Sequence, residues 1–286
     1  MGIALVMLAA FLWGVSGGIA AVLIERGWDP LVVSFYRGVV GFLCFAAWWL
    51  ARFAVIPLPD RRAILWSALA GLGVAGNFIF YFLSISQANV AVAVTLMYTA
   101  PIYVYLVSLT TGAVRLTPGF VAAIGSVLLG VALLTQLVGG ENLAGLSFAG
   151  MAAGIAAGVS YAVFLFGFRN AALHTSPVEV LAVAFLVFLL VMAPLVDPGK
   201  VVSASLSDDA HLFLLLGLFG AGLSFVFYVL GLRRASPVAV ALVAAVEPVT
   251  ASLFGLAVLG QSLAPLQWLG MGVIIATVTA LAVRQH

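Results

Sequence analysis

The chain has 286 residues, 65% of them hydrophobic and 7% charged, with a mean hydropathy of +1.29 and a net charge of +2. Ordinary soluble domains carry about 25% charged residues, so this composition excludes a soluble protein and points to a polytopic membrane one. The net charge is too small to suggest nucleic acid as a partner.

A helical span needs about 20 mostly apolar residues. Ten segments meet that length in chain order: 2–24, 31–50, 63–83, 90–109, 117–137, 145–168, 177–196, 210–230, 237–259 and 265–283. Uninterrupted apolar runs predict helices, where a β-barrel would show short alternating strands. The first run has no basic leader and stays apolar too long for a cleaved signal, so it is expected to be the first span. Turn chemistry separates the runs: "ERGWDP", "RFAVIPLPDRR", "GGENLAG", "RNAALHTSP" and "DPGKVVSASLSDD". With one cysteine, Cys44, no internal disulfide can form.

Loop cations predict the orientation. With the N-terminus inside, cytoplasmic loops hold Arg52, Arg61, Arg62, Arg115, Arg169, Arg233, Arg234 and Arg284, and the opposite side holds Arg26 and Lys200. The outer loops collect Glu25, Asp29, Glu141, Asp197, Asp208 and Asp209. Both termini are therefore expected in the cytoplasm of a cell whose inner membrane holds the chain.

A shift of 147 residues overlays the two halves. Gly73 meets Gly220, Phe78 meets Phe225, Phe80-Tyr81 meets Phe227-Tyr228, and Pro101 meets Pro248. Pro30, Pro118 and Gly125 meet Pro177, Pro265 and Gly272. After a three-residue gap, "GVS" at 14–16 meets "GVS" at 158–160. The expected units are residues 1–137 and 145–286, five helices each. Five is odd, so the second half must cross the membrane in the opposite sense. Inverted repeats of this kind are the architecture of secondary transporters with a site near mid-membrane.

Two five-helix halves, each with a proline inside its fourth helix, resemble the drug/metabolite transporter superfamily, EamA type. The sharper match is "VEPVTASLFGLAVLGQSLAPLQWLGMGVIIATV", with its acid-proline pair, its Pro265-x-x-Trp268-x-Gly270 run and Gly272. The resemblance implies a ten-helix basket that moves small metabolites, with branches exporting amino acids, drugs, purine-related metabolites and sugar phosphates. Two positions depart from the pattern. Ala100 stands where an acid would mirror Glu247, and Gln261 stands where relatives often carry a Glu.

The candidate site residues are polar or aromatic groups at mid-membrane depth. Proline inside a helix removes a backbone hydrogen bond and costs about 3 kcal/mol. Pro101 and Pro248 free the carbonyls of Met97 and Ala244, so both helices are read as hinged walls of a central pathway or as kinks that serve packing. Glu247, ten residues into its helix, costs about 2.5–3.5 kcal/mol on insertion scales. It is either a proton- or amine-binding carboxylate or an acid satisfied by its neighbours. Arg37, seven residues into its own helix, is either Glu247's partner or a side chain that snorkels outward.

Trp13 sits mid-membrane beside Gly14, Ser16 and Gly17, as a cavity wall or as core packing. Asn77 and Tyr81, and their counterparts Ser224 and Tyr228, lie four residues apart, so each pair shares a helix face. Tyr98, Ser160 and Tyr161 complete an inventory of aromatic walls with few polar groups. Helix–helix hydrogen bonding is the competing use of each.

The "GVSG" at 14–17 lacks the membrane-embedded His that a serine protease needs as base. The glycines at 150, 154 and 158 read as a close-packing face. With no P-loop and no paired metal ligands, neither an ATP-driven pump nor a cofactor or metal is expected. The reading is a non-enzymatic secondary transporter, functional as a monomer, exporting amino acids, aromatic or other apolar ones included, by alternating access. A drug or purine-related solute is the alternative, and a channel-like uniporter stands behind it. A doubly anionic sugar phosphate would want several mid-depth cations, where Arg37 alone comes near.

Overall fold

In a computed structural model the described residues are 1–52, 60–138 and 147–284, mostly helical with no strand among them. Glu141 and Gly145, the expected start of helix six, lie outside the described residues, as does His286.

The helices are α1 (Gly2–Glu25), α2 (Pro30–Arg52), α3 (Arg61–Gln87), α4 (Val90–Met97), α5 (Ala100–Thr110), α6 (Pro118–Leu134), α7 (Phe148–His174), α8 (Pro177–Met192), α9 (Pro198–Leu206), α10 (Ala210–Gly217), α11 (Ser224–Leu232), α12 (Pro237–Val243), α13 (Val246–Val258) and α14 (Pro265–Arg284). Taking α4–α5, α10–α11 and α12–α13 as continuous crossings, nine spans among the described residues are long and apolar enough for a membrane. The apolar α6 is a shorter tenth. The fold is thus the expected all-helical one, with ten crossings.

Local chemistry sets the helix starts. Pro leads α2, α6, α8, α9, α12 and α14, where its missing N–H is no loss. The Asp60 carboxylate accepts from the Ala63 N–H at 2.6 Å, and the Asn89 carbonyl accepts from Val92 at 2.9 Å. At α8, Ser176 and Glu179 form a reciprocal capping box. Such caps satisfy orphan N–H groups at the membrane border, where each is costly.

Most pairings are repeat-symmetric. α3 packs along α7 as α1 packs along α11, but the proline helices differ: α7 meets mainly α4, whereas α1 meets mainly α13, the counterpart of α5. α2 lies on α8, and α6 lies on α14. The inversion is visible at the ends. Ser84, near the end of α3, donates from Oγ to the carbonyl of Gly150, near the start of α7, at 2.8 Å. In the other half, Gly2 at the start of α1 abuts Arg234, just past α11.

Two features go beyond the sequence reading. The stretch after Asp197, expected as a loop, forms α9, capped by the Asp197 carboxylate on the Gly199 N–H at 2.8 Å. Its signal was legible in Asp197-Pro198, a cap followed by a helix-starting proline. Between α10 and α11, Leu218–Leu223 is a π-helix, a wide turn that recurs at functional sites. Its counterpart in α3 is ordinary α-helix.

Candidate functional site

Both proline helices are broken. Tyr98 and Thr99 separate α4 from α5, and Ala244 and Ala245 separate α12 from α13. The carbonyl that Pro248 deprives of its α-helical donor, Ala244, accepts instead from the Glu247 N–H at 2.9 Å. In the first half, the Leu96 carbonyl accepts from the Thr99 N–H at 3.1 Å and from Thr99 Oγ1 at 2.5 Å. Gly158 of α7 comes close enough that a Cβ there would lie 3.0 Å from the Leu96 carbonyl and 3.1 Å from that of Met97. A tight turn thus compensates the second break, while at the first a turn caps Leu96 and α7 packs close.

A cavity of about 930 Å³ opens beside these breaks. Glu25, Pro30, Asn89, Val90 and Gln261 stand at its mouth, the face where α1, α3 and α13 end and α2, α4 and α14 begin. Trp13, Val74, Tyr161, Phe164 and Phe225 form its floor. The far end is closed by packing: every residue of α12 is buried, and Gly231 seats against Val6 and Gly2.

Of the sequence-predicted residues, the cavity brings together Trp13, Asn77, Tyr81, Tyr98, Tyr161, Glu247 and Pro248. Trp13 is buried, its ring 4.9 Å from Tyr228 and 5.1 Å from Phe225. Asn77 donates to the Ala157 carbonyl at 2.9 Å. Tyr98 donates to Glu247 Oε2 at 2.9 Å, joining the break of the first half to that of the second.

Four residues and one proline stand behind the wall. Ser16 is fully buried and donates to the Leu216 carbonyl at 3.0 Å, a helix–helix bond. Ser160 lies against Gly76. Ser224 and Tyr228 are fully buried among the aromatics of α7 and α11. Pro101 is buried at the start of α5.

Arg37, offered in the sequence as Glu247's partner or a snorkelling side chain, does neither. It lines the cavity, with Cζ 5.2 Å over the Phe78 ring. Among the described residues no ion pair within 4 Å links it to Glu247, although the two interact electrostatically across the cavity. Arg37 and Glu247 are enclosed by protein yet retain accessible surface. That combination means that what they touch is cavity space. A buried unpaired charge is expensive, and here two ionisable groups of opposite sign line one cavity without an ion pair between them.

The mouth is laced by polar ties between the halves. Arg26 pairs with Asp209, and Trp28 Nε1 donates to Asp209 at 2.8 Å. Lys200 of α9 pairs with Asp29 at 2.9 Å, and the Tyr36 hydroxyl donates to the Val201 carbonyl at 2.6 Å. The hydrogen bond from Lys200 holds the Asp29 carboxyl below the usual range, and Asp29 raises Lys200 in return. Asp209 is lowered first by the Trp28 indole, then by Arg26.

The EamA-like transporter family model matches the chain twice, over residues 1–136 and 148–283. The chain belongs to the EamA-like transporter family. Among EamA relatives, it is 26% identical to the threonine/homoserine exporter RhtA of Escherichia coli (strain K12), covering 95% of this chain and 88% of that protein. It is also 26% identical to the uncharacterized inner membrane transporter YedA of the same strain, over 96% and 88%. An uncharacterized transporter of Archaeoglobus fulgidus is 27% identical over 97% and 94%. A solved crystal structure shares the fold at a TM-score of 0.73 and 19% identity, covering 98% of this chain and 96% of that one. The chain is thus a multi-pass membrane protein of a transporter family, embedded in lipid and acting on small molecules.

Proposed function

We propose that this EamA protein exports small zwitterionic metabolites, amino acids foremost, by alternating access in the inner membrane. The observation that carries the reading is the pair Arg37 and Glu247, opposite charges lining one cavity without bonding each other. An amino acid spans them. Its carboxylate meets the guanidinium in charge-assisted hydrogen bonds, and its ammonium meets Glu247, which Tyr98 orients. Trp13, Phe78 and Tyr81 give an aromatic wall for an apolar side chain. About 930 Å³ accommodates any amino acid with some water. The similarity to a threonine/homoserine exporter supports the amino-acid class and the direction.

A cationic drug is the second reading, favoured by the aromatic wall beside Glu247 and opposed by Arg37 in the same cavity. The loop cations support cytoplasmic termini, which put the cavity mouth on the outer face. Residues 1–137 and 145–286 act as the two repeats, with Pro101 and Pro248 as hinges between segments that stay rigid. One chain encloses the whole cavity, which supports a working monomer.

Counterflow in proteoliposomes tests the reading. A panel of unlabelled neutral amino acids should drive saturable uptake of a labelled one. Arg37→Gln and Glu247→Gln should each cut the initial rate at least about tenfold, the loss of one charge-assisted contact. Non-saturable leak, or undiminished flux in both variants, would overturn it.

A further inference from the structure

At the cavity floor and behind it lies a cluster of buried polar atoms without a hydrogen-bond partner among the described residues: Trp13 Nε1, Arg37 Nε, Tyr161 Oη, Ser224 Oγ and Tyr228 Oη. They are neighbours. The Trp13 and Tyr228 rings are 4.9 Å apart. The Tyr161 and Tyr228 hydroxyls interact without meeting hydrogen-bond geometry. A Cβ on Gly220, one turn before Ser224, would lie 2.8 Å from Arg37 Nε. Buried hydroxyls ordinarily find partners, and a membrane span makes the omission dearer.

The repeat explains which atoms these are. Ser224, Phe225 and Tyr228 are the counterparts of Asn77, Phe78 and Tyr81 at the 147-residue offset. All three first-half residues line the open cavity. In the second half Phe225 reaches only the floor, and Ser224 and Tyr228 are shut away at zero exposure. The helix that carries them is also the irregular one. The π-helical Leu218–Leu223 immediately precedes Ser224, and Gly220 in it rests on Ser16 and Arg37. A wide turn backed by a glycine lets α11 shift or rewind at less cost than a packed α-helix.

We infer that Ser224 and Tyr228, behind Tyr161 at the cavity floor, form the second half of the solute pathway, closed here and opened to the opposite membrane face when the second repeat adopts the arrangement of the first. The inference rests on the transport reading but not on the solute's identity. Arg37's counterpart is Ala184, so the second repeat adds no cation of its own here. Its hydroxyls offer neutral hydrogen-bonding groups, with Arg37 Nε at their edge.

Thiol accessibility tests this in the full chain with Cys44→Ala as background. Ser224→Cys and Asn77→Cys are each treated with a membrane-impermeant methanethiosulfonate in right-side-out and inside-out vesicles. Asn77→Cys should react at least about tenfold faster from the face of the 25–30 loop, and Ser224→Cys from the opposite face, a difference that steric closure readily gives. Because Ser224 is fully packed, hydroxyl-radical footprinting of the unmodified protein provides a second reading. Tyr228 should be oxidised at a rate approaching that of Tyr81. Oxidation of Tyr228 no faster than of buried Phe168, or Ser224→Cys reacting from the same face as Asn77→Cys, would overturn the inference. No solute is needed, so failure of amino-acid counterflow leaves this test independent.

Discussion

At the scale of single residues, the proposed transport site turns on Glu247 and the atoms around it. Its carboxylate sits in the first turn of α13, where the helix dipole favours an anion, and Tyr98 fixes one oxygen. If protons drive transport, Glu247→Gln should abolish the pH dependence of flux while the protein still folds. Unchanged pH dependence in that variant would make Glu247 structural and uniport the better description. Tyr98→Phe removes a hydrogen bond to a charged group, about 1.5–3 kcal/mol, and should raise the half-saturating solute concentration by about tenfold or more with little change in maximal rate. A fall in maximal rate alone would assign Tyr98 to the conformational step instead. The sequence marked Glu247 as a mid-span acid and Tyr98 as one of a few aromatic and polar groups inside apolar helices. It left Arg37's role open, because depth along a helix says nothing of the direction in which a long side chain points. It equally could not tell that Asn77 and Tyr81 meet open space while Ser224 and Tyr228 are sealed. A repeat is symmetric in sequence, and only a conformation breaks that symmetry.

At the scale of helices, glycines and prolines do opposite work. Gly73 lets α3 touch α7 so closely that a Cβ would lie 2.6 Å from the Phe164 backbone nitrogen. Backbone cannot step aside as a side-chain tip can, so Gly73→Ala should destabilise the protein by about 1–3 kcal/mol, read as a lower melting temperature in detergent. Pro248→Ala should act in the other direction. It allows a continuous α12–α13, so heat resistance rises while turnover falls several-fold; equal turnover would show that the break is packing alone. The ties at the mouth carry their own pH signature. The carboxyls of Asp29 and Asp209 lie below their ordinary values, so these contacts persist above the unfolded range and are lost as acid titrates the folded groups. Hydrogen exchange of residues 25–30 and 198–209 should be flat between about pH 5 and 8 and rise, after correction for intrinsic rates, below about pH 4. Proline made both helix breaks legible in the sequence. The π-helix was not legible, since "LFGAGL" suits an α-helix equally well and the wide turn answers to packing against Ser16 and Arg37.

At the scale of the molecule, the inverted repeat is the main organising fact, and it was readable from one offset and an odd helix count. The pairing of α3 with α7 and of α1 with α11 gives it physical form, with each half completing the other's core. What one sequence could not supply was the state: which face is open, and where two charges end up relative to each other. The proposed function requires one solute to bridge Arg37 and Glu247. The most direct measurement compares, in proteoliposomes, flux of a neutral amino acid, its carboxamide and its deaminated acid. The zwitterion should be carried, and capping either end should lower the specificity ratio at least about tenfold. Transport of the deaminated acid or the carboxamide as efficiently as the amino acid would contradict it.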